Sequence, residues 1–107
     1  MNFDEYLNTI WEEDLLEFAH AGKIQGAVYD NVYTKNECKR ALKKHCMQMR
    51  SAKAVLIVLD EKFNNKEQEI LMFLMDFLEN VDEYKIVYKN IQKLIIITFG
   101  LEAANLL

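Results

Sequence analysis

The 107-residue sequence predicts an α+β fold in a single small domain, residues 1–107. Three observations predict it. The run AVLIVL at 54–59 is short, rich in β-branched residues and bounded by Lys53 and Asp60. Ile95, Ile96, Ile97 and Thr98 are consecutive β-branched residues, which disfavour a helix there. Apolar residues recur at helical spacing elsewhere. The expected architecture has about three core strands, 54–59, 84–88 and 94–99. They pack against three or four helices, 3–21, 35–50, 66–80 and a short 101–107. An all-α fold is the alternative, because short apolar runs fit either element.

Asn2 with Glu5 fits a capping box, and Phe3, Tyr6, Leu7 and Ile10 follow at helical spacing. Glu12, Glu13 and Asp14 interrupt that face before Leu15, Leu16 and Phe18 resume it. Gly22 suits the residue after a helix, where a left-handed conformation is needed. Asp30 and Asn31 could turn a small hairpin between 27–29 and 32–34. Thr34 with Glu37 then marks the start of the second helix. Cys38, Ala41, Leu42, His45 and Met49 share one side of it.

The helix over 66–80 carries Ile70, Leu71, Met72, Phe73, Leu74, Met75, Phe77 and Leu78. Their arc exceeds the usual one-sided stripe. Such a helix is either central or half covered by a second copy. A homodimer is therefore expected, with Leu71, Met72, Met75 and Leu78 at its interface or through the edge of a terminal hairpin. The last two strands, 84–88 and 94–99, are expected as a hairpin turned by residues 90–92, with Gly100 ending the second.

Charge is divided sharply along the chain. Residues 1–33 sum to -6, residues 34–53 to +6 and residues 54–107 to -4. On the helix 35–50, Lys39, Arg40, Lys43, Lys44 and Arg50 lie opposite Cys38, Leu42 and Met49. These five are the candidate contacts for a protein or a nucleic acid. The net charge of -4 and the lack of interleaved aromatics weigh against nucleic acid.

Ala21-Gly22-Lys23-Ile24, Gly26-Ala27-Val28, a turn, Val32-Tyr33-Thr34 and a helix with Leu42 resemble part of the excisionase-like winged helix-turn-helix domains. The resemblance covers residues 12–46. It implies a small wing at 26–34 and DNA reading by the preceding helix. That helix carries Glu12, Glu13, Asp14 and Glu17 where such a family needs basic or neutral polar residues.

Chemistry-bearing patterns are sparse. Cys38, His45 and Cys46 share a helix, but the two cysteines are more than two turns apart. No CxxC, Gly-rich phosphate loop or serine elbow occurs. Adjacent carboxylates such as Asp82 and Glu83 are not ready acid–base pairs. Asp60 and Glu61 follow a strand, the place where α/β proteins put ligands, yet a charged end to a buried strand is the ordinary explanation. The expectation is a non-enzymatic protein, without cofactor or metal. It would act in protein–protein interaction or regulation, as an inhibitor or adaptor, through the basic helix face and the apolar helix. The alternative is a small nucleic-acid-binding transcriptional regulator using helix 35–50. Met1-Asn2-Phe3-Asp4-Glu5 lacks a signal-peptide pattern, and no apolar run approaches the ~20 residues of a membrane span. A cytoplasmic location away from membranes follows as the expectation.

Overall fold

A computed structural model describes residues 22–79 and 81–100. The expected helices 3–21 and 101–107 lie outside the described residues. Four strands and three helices form a small α+β domain. In chain order they are β1 (Ile24–Asp30), α1 (Lys35–Lys44), α2 (Cys46–Ser51), β2 (Ala54–Asp60), α3 (Glu67–Leu78), β3 (Glu83–Lys89) and β4 (Lys93–Phe99). A 3-10 turn, Glu61–Lys66, joins β2 to α3. The spatial order is β1-β4-β2-β3. β4 is antiparallel to both β1 and β2, and β3 is parallel to β2.

Burial explains that order. All seven residues of β2 are buried, and six of seven in β4. Strands apolar on both faces belong in the interior of a sheet. β3 carries Glu83, Lys85 and Lys89, which suit a margin. The last two strands therefore do not form the expected hairpin. They flank β2, and residues 90–92 carry the chain across its end. Two strand spacings are about 9.6 Å, within reach of so short a bridge. Gln92 takes a left-handed φ of 51° on the way. Asp60, 4% exposed, lies under this bridge. Its carboxylate accepts the backbone N–H of Lys62 at 2.9 Å and of Gln92 at 2.5 Å.

The three helices pack on one face of the sheet. Val55, Ile57, Leu59, Leu94 and Ile96 meet Cys38, Leu42, Met49, Ile70 and Leu74 there. Ala54, Leu56, Val58, Ile95, Ile97 and Phe99 form the other face and are also buried. No described helix packs on that second face.

Two further expectations are corrected. Residues 27–29 and 32–34 form neither a hairpin nor a wing. Residues 24–30 make one strand, paired along its length with β4. Its alternation fixes this: Ile24 and Val28 join the second face, while Tyr29 packs toward the helices. Val32 is buried in the helix-side core. The expected helix 35–50 is two helices, with a corner at His45 (φ -109°, ψ 14°). Neither Gly nor Pro marks that corner. At the far end of β1, Gly22 has φ 124°, and a Cβ there would stand 3.1 Å from the Gly100 Cα. That φ strains any residue with a side chain, and the close approach adds to the preference for glycine.

Candidate functional site

The start of α1 is fixed by Thr34. Its hydroxyl accepts the Glu37 N–H at 3.1 Å, while Glu37 Oε1 accepts the Thr34 N–H at 3.0 Å. The Thr34 hydroxyl donates to the same carboxylate at 2.9 Å, and this bond holds the Glu37 carboxyl below its ordinary value. This reciprocal cap sets the rotation of the helix. Cys38, Ala41 and Leu42 then face inward. Arg40, Lys43 and Lys44 are exposed.

A groove of about 400 Å³ opens between the last residues of β1 and this helix. Tyr29, Val32 and Ala41 supply its apolar lining. Arg40, Lys43 and Lys44 line it from α1, and Asp30, Asn31 and Glu37 complete it. Both acids are engaged. Glu37 serves the cap, and Asp30 accepts an ion pair from Lys93 at 2.5 Å. That bond draws the Asp30 carboxyl below its ordinary value. The Lys44 ammonium stands 5.9 Å from the Tyr29 ring centre. Among the described residues, no carboxylate forms an ion pair with Arg40, Lys43 or Lys44. The groove therefore presents net positive charge above an apolar base.

Tyr29 is held from below. Its hydroxyl bonds His45 Nε2, and His45 Nδ1 bonds Gln48 Oε1 at 3.1 Å. Because Gln48 Oε1 only accepts, Nδ1 carries the proton and Nε2 accepts from the tyrosine. Burial pushes the His45 imidazole below its ordinary value, Lys44 adds to this, and the Gln48 bond opposes it. Burial raises the Tyr29 phenol. The chain His45–Tyr29 thus fixes one wall of the groove in a neutral state.

The structure divides the five expected contact residues. Arg40, Lys43 and Lys44 meet at the groove. Lys39 and Arg50 turn toward α3, where they sit 5.6 Å and 5.4 Å from the ring centres of Phe73 and Phe77. Lys35 joins them on that side through Glu69 at 2.8 Å. The four residues expected at an oligomer interface are divided as well. Leu78 is 3% exposed and lies in the core, and Leu71 is half-buried. Met72 is 76% exposed and Met75 46%. The wide apolar arc of α3 serves two neighbours, since Ile70 and Leu74 join the core against the sheet while Phe73 and Phe77 lie beneath cations of α1 and α2.

Tyr29, Asn31 and Val32 were not legible as site residues, because only the pairing of β1 brings them beside α1. Cys38 is buried, and desolvation pushes its thiol up to about 12, far from a thiolate at neutral pH. Cys46 is half-buried. Among the described residues, no three His, Cys, Asp or Glu side chains are grouped to hold a metal ion. No described helix is long and apolar enough to cross a membrane. The chain matches no protein-family model, no curated protein and no solved structure.

Proposed function

We propose that this domain is a non-enzymatic interaction protein of regulatory type that receives an acidic segment of a partner protein in the groove between β1 and α1. One observation carries the reading. Arg40, Lys43 and Lys44 stand together on one groove, while the two acids beside them are already bonded. An apolar base with a cationic rim suits acidic side chains whose carboxylates reach the rim while their methylene stems cover the base. Contact at the base contributes affinity, and the rim charges give orientation and rate. Capture from native lysate by the intact protein and by K43E/K44E tests it. A stoichiometric acidic partner retained by the first and lost by the second is the expected result. Duplex DNA or RNA binding with steep salt dependence, abolished by the same substitution, would replace this reading with the nucleic-acid one.

We also propose self-association through α3, centred on Met72 and Met75 beside Leu71. The exposure of two long, adaptable side chains one turn apart supports it. Sedimentation equilibrium at micromolar concentration should show a dimer that M72E/M75E dissociates. A 12.6 kDa species alone would contradict it.

A further inference from the structure

The groove runs beside a margin of the sheet that, among the described residues, no strand or helix covers. β1 pairs with β4 on one side, and no other described strand pairs with it. The two margins differ. β3 carries Glu83, Lys85 and Lys89, charges that discourage pairing with another chain. β1 reads IQGAVYD, seven residues with no Lys, no Arg and no Pro, and its one charge is at the end.

The register shows which backbone groups β1 has to offer. The Gly100 N–H donates to the Lys23 carbonyl at 2.9 Å, so residues 23 and 100 form a hydrogen-bonded pair of the antiparallel ladder. Such pairs alternate along the strands. Gln25, Ala27 and Tyr29 therefore bond toward β4, and the Gln25 carbonyl also accepts the Thr98 hydroxyl. Ile24, Gly26, Val28 and Asp30 direct their N–H and C=O groups away from β4, to the side where no described strand lies. Gly26 is exposed and has no side chain to obstruct an incoming strand.

We infer that the partner segment binds as an added β-strand along β1, with acidic side chains at every second position turned to Arg40, Lys43 and Lys44. This rests on the reading of the groove as an acidic-peptide site and specifies how the peptide is held. Main-chain bonds to Ile24, Gly26, Val28 and Asp30 fix the strand. Because side chains alternate across a strand, one set falls on the helix side of the sheet, where the groove lies. Charge selects the occupant: the three cations favour a segment with acids on that set over a second copy of β1, which ends in a single Asp30.

Fluorescence anisotropy on the whole protein tests this with a labelled ten-residue peptide alternating Glu and Val. A second peptide has the same sequence with an N-methyl group on every residue, which removes the N–H donors a strand needs in either direction. The unmodified peptide should bind, and the N-methylated peptide should bind about tenfold or more weakly. V28P removes an outward N–H, at an edge position where proline is tolerated, and should weaken the unmodified peptide similarly. Circular dichroism checks that this variant folds, and the N-methyl comparison stands if it does not. Equal binding of both peptides, with loss on K43E/K44E, would overturn strand addition while leaving the acidic-peptide reading intact. No binding, or binding indifferent to K43E/K44E, would overturn both. V28P that abolishes self-association but leaves peptide binding unchanged would assign the edge to a second copy and overturn the inference.

Discussion

Asp60 shows the structural use of a carboxylate that ends a buried strand. Its carboxylate caps the bridge between β3 and β4 and the turn after β2. D60A would leave two backbone donors short of an acceptor. It should lower unfolding free energy by about 2–4 kcal/mol in urea titrations. D60N keeps one carbonyl oxygen and should cost less. His45 makes a pH-dependent contribution of definite sign. Its folded value lies below the ordinary 6.5, so folding favours the neutral ring. That stability is complete above about pH 6.5 and is lost as pH falls through the folded value. Thermal melts of the wild type should fall more steeply than those of H45Q below about pH 6.5. Neither role was legible beforehand, because both depend on partners far along the chain: Gln92 for Asp60 and Tyr29 for His45.

The elements themselves were more legible than their arrangement. The apolar run 54–59 became β2 (Ala54–Asp60), and 94–99 became β4 (Lys93–Phe99), each within a residue of expectation. Thr34 and Glu37 marked the start of α1 correctly, because a capping box is a local signal. T34A removes it and should cost about 1 kcal/mol, measured by denaturant unfolding. Groove binding should weaken too, since the cap sets the direction of Arg40, Lys43 and Lys44. Strand pairing, by contrast, has no local signal. Periodicity says that 84–88 and 94–99 are strands, but the three-residue link between them suggested a hairpin. The charges of β3 and the two apolar faces of β2 were the available clues that β2 lies between them. The corner at His45 left no trace in composition. The over-wide arc of α3 leaves a central helix and a homodimer interface both open to a reader of the sequence; within the chain, Ile70 and Leu74 face the sheet, and α1 and α2 set cations over Phe73 and Phe77.

At the scale of the molecule, the block of +6 over residues 34–53 is spread around the helices rather than on one face. Lys35, Lys39 and Arg50 go to α3, and Arg40, Lys43 and Lys44 go to the groove. The second set lines the groove, and only folding could make the division. Binding through it should weaken as salt rises, because exposed charges are screened beyond about 8 Å at physiological ionic strength. K39E should therefore change stability slightly and leave acidic-peptide affinity near that of the wild type, whereas K43E/K44E should reduce it about tenfold or more. Isothermal titration at two salt concentrations separates these outcomes.

The most direct test of the groove as an acidic-segment site is a nitrogen–proton correlation spectrum of the whole protein, titrated with the Glu/Val peptide. The expected result is saturable shifts at Tyr29, Asn31, Val32, Ala41, Lys43 and Lys44, with β3 unchanged. Shifts confined to α3 or β3, or none at all, would contradict it.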